Sequence, residues 1–289
     1  MIVRMFNLWY FFWIFLAAGI VVGLYFLLKD KSFKTKKWAI FSIFAFAFAL
    51  HFLKLLMPPY STNQTALYRD SWFINICGAN IALFPFLYLS KSKRAKDYMY
   101  YLGMLGGGLA LLYPTEALNK TIENPEHLDM IRFYLHHMSL FCGPLLMVML
   151  KVHTLSYKRI LSCPIGLLLV MLFIMLNQVL QSELGFTSLR KDDFLKIGYT
   201  NTSFIWGPGS DALAQIFVVL CPKFFRVVPV GEFKGQEKFW PWFWLIVPLF
   251  VYLTPIAFGL CMIFDAKNFK QDVKSFFRKL RSKNSRSSE

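Results

Sequence analysis

The sequence has few cysteines, and they are not spaced for a disulfide framework or a zinc cluster. The five lie at positions 77, 142, 163, 221 and 261, with no CxxC or CxxxC pair, and no HExxH motif occurs. His51, Cys77 and one histidine of the pair at 136 and 137 could in principle hold zinc, but their spacing matches no known zinc motif. We therefore expect neither a metal nor a cofactor.

Acidic residues are also scarce. Asp and Glu total 16 against 32 Lys and Arg, a formal net charge of +16. A basic excess of this size raises nucleic acid as a possible partner. The basic residues, however, concentrate in short loops between apolar runs, which is the pattern that membrane topology produces. We expect membrane phospholipids as partners and no nucleic acid, and nothing in the sequence identifies a protein partner.

Long apolar runs dominate the chain and exclude an ordinary soluble domain. The set AVILMFWYC makes up 56% of the 289 residues, and runs such as 8–28 and 242–264 exceed the length that one helix needs to cross a bilayer. The sequence predicts an all-α, polytopic membrane helix bundle. The predicted transmembrane helices number about seven, at residues 8–28, 38–57, 72–90, 98–114, 133–151, 160–181 and 242–264.

The distribution of positive charge predicts the orientation of this bundle. Twelve Lys and Arg residues lie in three short loops, at 29–37, 91–96 and 151–159, and eight more lie in the tail at 267–289. The positive-inside rule then places the N-terminus outside and the C-terminus inside. We predict one integral membrane domain, residues 1–266, with a long outer loop at 182–241, and a basic cytoplasmic tail, residues 267–289, in a multi-pass protein of the cell membrane.

Polar residues inside the predicted spans converge near the outer face, whereas the inner halves show no comparable cluster. Such residues are costly in lipid, so they tend to face a protein interior or a cavity. Eight of them, from four predicted helices, share the outer third of the bilayer: His51, Asn75, Cys77, Asn80, His136, His137, Asn177 and Gln178. This depth suits a site that opens to the outer leaflet.

Cys77 is the candidate nucleophile of such a site. A cysteine in apolar surroundings needs a neighbouring histidine to take its proton, and His136 and His137 are at the right depth. Asn80, Asn177 or Gln178 could orient that histidine or donate to an oxyanion. Asn75 and His51 are further candidates for contacting substrate. Each residue also has a simpler interpretation, because a lone membrane cysteine is usually a packing residue and a lone histidine often bonds a neighbouring helix.

Glycines in the fourth predicted span indicate close helix packing. Gly103, Gly106, Gly107 and Gly108 place small residues at helical spacing, which lets two backbones approach closely.

Several short motifs resemble the YwaF-like polytopic membrane proteins, which are related to an animal transmembrane phospholipid acyltransferase with a cysteine and a histidine in its site. The motifs are Asn75-Ile76-Cys77, Phe84-Pro85, Lys91-Ser92-Lys93, Tyr100-Tyr101-Leu102-Gly103, Leu111-Leu112-Tyr113-Pro114 and Phe133-Tyr134-Leu135-His136-His137. The resemblance implies catalytic roles for Cys77 and for His137 rather than His136. The chain departs from the family pattern at Asn75, where relatives often have histidine, and at Met138, where they often have glycine.

Two functions follow from this sequence. In the first, the protein is a lipid acyltransferase or acyl hydrolase with Cys77 as nucleophile and a histidine as base. In the second, it is a non-enzymatic carrier or a lipid- or ligand-binding scaffold, in which the same polar groups line a binding cavity and Cys77 only packs.

Overall fold

The computed structural model describes residues 3–57, 60–62, 72–73, 75–114, 126–185, 203–208, 212–227 and 234–286, and within them the fold is all-helical. The α-helices are α1 (Leu8–Leu28), α2 (Phe33–Leu53), α3 (Ile76–Leu89), α4 (Lys93–Leu102), α5 (Gly108–Leu112), α6 (Glu126–Met149), α7 (Ser162–Glu183), α8 (Ala212–Val219) and α9 (Ile246–Arg286). A π-helical segment, Gly103–Gly107, joins α4 to α5.

Four helical stretches in the described part of the chain are long and apolar enough to cross a membrane. They are Leu8–Leu28, Phe33–Leu56, Tyr157–Glu183 and Phe243–Arg281. The helix α3 is apolar but shorter, and α6 is long enough at 24 residues but carries Arg132, His136 and His137. The protein is therefore a multi-pass membrane protein, whereas seven spans and their orientation stay predictions.

Side-chain caps define where four of these helices begin. The side chains of Asn7, Ser32, Asn75 and Ser92 accept hydrogen bonds from the backbone N–H groups of Tyr10, Thr35, Gly78 and Ala95. Each cap satisfies an N–H group that has no partner within its own helix. The cap at Asn75 fixes the start of α3 immediately before Cys77, so a local sequence signal determines where the candidate nucleophile lies.

The helix α6 occupies the centre of the bundle and contacts α1 to α5. On its α1 side, the rings of Trp13 and Tyr134 stack with centroids 4.4 Å apart. On its π-helical side, the backbones meet directly: a Cβ atom on Gly103 would lie 2.5 Å from the Leu140 carbonyl oxygen, and one on Gly107 would lie 3.0 Å from that of His137. Two of the four glycines in this run therefore allow the close packing that the sequence predicts.

We expect Gly107→Ala to destabilise the protein, whereas Gly106→Ala should have little effect. A Cβ atom at position 107 would also lie 2.8 Å from the Phe141 nitrogen, so the backbones must separate, at a cost of about 1–3 kcal/mol. At Gly106, in the same π-helical segment, the nearest atoms belong to the Leu102 side chain at 3.8 Å. Thermal unfolding of the two variants in one detergent checks this, and equal unfolding temperatures would contradict it.

The described parts of the predicted outer loop pack against α7 and the start of α9. The Trp206 indole donates to the Gln178 side-chain oxygen at 2.9 Å, and the Trp244 indole donates to the Phe204 carbonyl at 2.9 Å. Trp206 and Trp244 are buried. These two tryptophans therefore attach the loop to the bundle. They do not form part of an aromatic belt, whose side chains would face the lipid headgroups.

The last helix, α9, continues without a break for 41 residues, through the predicted boundary between membrane domain and tail. It contacts the turn that precedes α7 at two points. The Tyr157 backbone N–H donates to Asp265 Oδ2 at 2.8 Å, and Asp272 Oδ2 accepts from the Tyr157 hydroxyl and pairs with Lys158 Nζ, each at 2.6 Å.

Candidate functional site

Two of the predicted site histidines lie close together, one at the end of α2 and the other in the first half of α6. His51 and His136 are both buried, and their rings lie nearly parallel with centroids 6.2 Å apart. His51 also reaches the first turn of α3, because a Cβ atom on Gly78 would lie 3.8 Å from His51 Cε1. The structure therefore brings together three of the four elements whose polar residues the sequence placed at one depth.

A buried ion pair adjoins His136. Arg132 Nη2 lies 2.6 Å from Asp129 Oδ1, and Arg132 Nη1 donates to His136 Nδ1 at 3.0 Å. The Tyr60 hydroxyl donates to the same Asp129 oxygen at 3.1 Å, and the ammonium of buried Lys54 lies over the Tyr60 ring. We call these four residues, with His51 and His136, the histidine cluster.

Arg132 and Asp129 are not among the predicted site residues, because both precede the predicted span at 133–151. The spacing from Asp129 to Arg132 to His136, of three and then four residues, places them on one helix face and could have identified them.

The neighbours of His136 and His137 fix their ring nitrogens in opposite roles. A guanidinium can only donate, so His136 Nδ1 accepts from Arg132, and the neutral ring carries its proton on Nε2. A carbonyl can only accept, so His137 Nδ1 donates to Phe133 O at 2.8 Å, and its Nε2 keeps a lone pair. His136 Nε2 is buried without a hydrogen-bond partner among the described residues. One histidine therefore offers a donor and its neighbour an acceptor.

Cys77 and Asn75 lie at the N-terminus of α3. Cys77 is half-buried in the first turn, and the Asn75 side chain caps that turn by accepting from the Gly78 N–H at 2.6 Å. A helix N-terminus favours negative charge, which suits a cysteine that must react as a thiolate. The cap gives Asn75 a structural task beside its predicted contact with substrate.

Asn80 takes part in a buried link between α3 and α4. Its side-chain nitrogen donates to Ile76 O at 2.6 Å, and its oxygen accepts from the Tyr98 hydroxyl at 2.8 Å. Among the described residues its hydrogen bonds thus go to Ile76 and Tyr98 rather than to a histidine. The role of Asn80 as an oxyanion donor stays a prediction.

The predicted amides of α7 face different surroundings. Gln178 is buried, and its oxygen accepts from the Trp206 indole. The side-chain nitrogens of Asn177 and Gln181 are buried without a hydrogen-bond partner in the part of the chain that is described. Unsatisfied amides of this kind are uncommon in native proteins and can mark a place that a polar ligand occupies.

A second buried polar cluster lies beyond the C-terminal end of α6, and its residues fall outside the predicted spans. Asp97, which is fully buried, accepts from both His153 Nε2 and Arg159 Nε. Arg159 Nη2 also donates to Thr154 O at 2.8 Å. We call Asp97, His153 and Arg159 the Asp97 cluster. The sequence does not indicate this cluster, because Asp97 lies in α4 whereas His153 and Arg159 follow α6, so the three residues belong to no common spacing pattern.

The described side chains contain no group of three or more His, Cys, Asp or Glu residues arranged to hold a metal ion. The histidine cluster instead combines donors, acceptors and fixed charges, which are the components of acid–base chemistry.

Comparison with known proteins identifies the family. The profile of the TMEM164 family, a family of membrane proteins, matches residues 5–221. No curated protein and no solved structure matches the chain. The match covers most of the chain and includes the histidine cluster, Cys77 and the π-helical segment. The chain therefore belongs to the TMEM164 family.

Proposed function

We propose that the protein transfers or hydrolyses acyl chains of phospholipids, with Cys77 as nucleophile and His137 as base, in the outer leaflet of the cell membrane. The relation to the YwaF-like proteins and to the animal acyltransferase is part of this proposal. The observation that supports it best is the opposite hydrogen-bonding state of His136 and His137. A nucleophilic acyl transfer needs one group that takes a proton and another that stabilises an oxyanion.

The proposed reaction has two halves. In the first, His137 Nε2 takes the Cys77 thiol proton, and the sulfur attacks the carbonyl carbon of a phospholipid ester. His136 Nε2–H stabilises the oxyanion, the bond to the glycerol oxygen breaks, and that oxygen takes the proton from His137. In the second, a lysolipid hydroxyl or water gives its proton to His137 and attacks the thioester, the C–S bond breaks, and the leaving Cys77 thiolate takes that proton back from His137.

Intact-protein mass spectrometry tests the proposal. The purified protein is incubated with a defined phospholipid, and half of the sample is then treated with neutral hydroxylamine. We expect an acyl-sized adduct that hydroxylamine removes. The adduct should be absent from Cys77→Ala and present in Cys163→Ala, which removes a buried thiol on α7.

An adduct that survives in Cys77→Ala, or the lack of both adduct and lipid turnover in the unmodified protein, would overturn the enzymatic proposal. The second outcome would favour a lipid- or ligand-binding scaffold. The buried amides of Asn177 and Gln181 and the Nε2 atom of His136 would then be polar groups that bind the ligand.

A further inference from the structure

A cavity of about 600 Å³ opens between the C-terminal half of α3, the start of α4 and the first half of α7. We call it the basic groove. Its lining combines basic residues of α4 and of the turn before α7 with apolar residues of α3 and α7. It lies at the opposite end of α3 from Cys77, so it is separate from the site of the proposed reaction.

One end of the basic groove is positively charged. Arg94, Lys158 and Arg159 line it, and no carboxylate does so among the described residues. Arg159 is bonded to Asp97, and Lys158 pairs with Asp272. Arg94 is exposed and has no ion pair within the described ranges, so its guanidinium is available to a ligand. Ser92 caps α4 at the same end, where the helix N-terminus adds to the attraction for an anion.

The rest of the groove is apolar. Leu83 and Leu87 form one wall, and the other wall runs along α7 from Leu161 to Phe173. That stretch rises about 18 Å at 1.5 Å per residue. One leaflet of the hydrocarbon core is about 15 Å deep. Ile165 and Leu169 are 45% and 60% exposed, so the wall offers a hydrocarbon chain a continuous surface.

Tyr98 and Gly166 give the groove a rigid floor. The absence of a side chain at Gly166 lets the Tyr98 ring lie directly on the α7 backbone, since a Cβ atom there would overlap the ring. The Tyr98 hydroxyl donates to Asn80 Oδ1 at 2.8 Å, which fixes the ring in the buried link to α3. The apolar part of the groove is therefore preformed and does not depend on a ligand to open it.

We propose that the basic groove binds one anionic phospholipid. The phosphate contacts Arg94 at the basic end, and an acyl chain lies between Leu87 and the exposed face of α7. The combination of charge at one end and a leaflet-deep apolar wall matches a lipid better than a soluble anion, which would leave that wall unoccupied. In the predicted orientation, the basic end of the groove faces the cytoplasmic leaflet. That leaflet is rich in anionic lipids, which suits a basic site.

Native mass spectrometry tests this binding. The full-length protein is reconstituted in nanodiscs of equal parts phosphatidylglycerol and phosphatidylcholine, and the lipid that stays bound on release is identified. We expect retention of one phosphatidylglycerol in preference to phosphatidylcholine. Arg94→Gln should lower this retention about fivefold, the effect of removing one cationic contact. Leu169→Trp, which fills the apolar wall, should lower it by a similar or larger factor.

Two matched variants serve as controls. Lys93→Gln removes a neighbouring exposed charge that does not line the groove, and Leu176→Trp adds the same bulk two helical turns further along α7. Both should retain the lipid. The proposal would be overturned if test and control variants lost lipid retention equally or if the two lipids were retained equally. Displacement of the bound lipid by excess inorganic phosphate would also overturn it. The acyl-adduct experiment does not depend on these results, so the two proposals can fail separately.

Discussion

His137→Gln is expected to slow acylation of Cys77 by on the order of a hundredfold or more, because glutamine cannot accept the thiol proton. His136→Gln should reduce the rate by about tenfold or less, since its amide still offers an N–H donor for the oxyanion. The time course of the hydroxylamine-sensitive adduct measures both rates. The two variants should differ because the hydrogen bonds to Arg132 and Phe133 leave His136 Nε2 as a donor and His137 Nε2 as an acceptor.

Ser139→Ala is the matched control on the same helix. The Ser139 hydroxyl donates to Leu135 O at 2.8 Å, so its removal alters α6 locally without touching either ring, and the rate should stay unchanged. Equal losses in the two histidine variants, or a larger loss in His136→Gln, would reject the assignment of His137 as base. Elution of all three variants as a single peak in size-exclusion chromatography would show that folding is not the cause.

Asp97→Asn is expected to lower the free energy of unfolding by about 3–5 kcal/mol, the usual cost of removing one partner from a buried charged cluster. Asp97 is fully buried and bonds to both His153 and Arg159. Asparagine has nearly the same shape but no charge, so the Arg159 guanidinium would lose its counter-ion. Denaturant unfolding in detergent micelles, followed by tryptophan fluorescence, measures the change.

Asp272→Asn provides the comparison, because it breaks an ion pair at the same turn but on the surface. Asp272 and Lys158 side chains are 45% and 64% exposed, and exposed pairs contribute little to stability. The unfolding transition of this variant should coincide with that of the unmodified protein. If Asp272→Asn lowered the free energy of unfolding as much as Asp97→Asn, burial would not determine how much these carboxylates contribute to stability.

Much of the secondary structure could be predicted from the sequence, because long apolar runs and their caps are local signals. Each of the seven predicted spans contains a helix, and the caps at Asn7, Ser32 and Ser92 are visible as residue types. The continuity of α9 past position 266 could not be predicted from hydropathy, because the run becomes polar there while its helix propensity persists.

The site was predictable only in part. Depth alone brought His51 and His136 into one group, and the structure places their ring centroids 6.2 Å apart. The ion pair of Arg132 with Asp129 was missed because α6 begins at Glu126, seven residues before the predicted span at 133–151. The Asp97 cluster could not have been found, since a long-range ion pair between α4 and the segment after α6 leaves no periodic trace in the sequence. On α7, Gln178 bonds Trp206, whereas the side-chain nitrogens of Asn177 and Gln181 have no hydrogen-bond partner among the described residues.

Because α9 is unbroken, the basic tail is a direct helical continuation of the last predicted span. At 1.5 Å per residue, the 41 residues of α9 span about 60 Å, twice the thickness of a hydrocarbon core of about 30 Å. Asp265 and Asp272 attach this helix to the turn before α7. A displacement of the tail would thus reach the turn before α7, whose Lys158 and Arg159 line the basic groove.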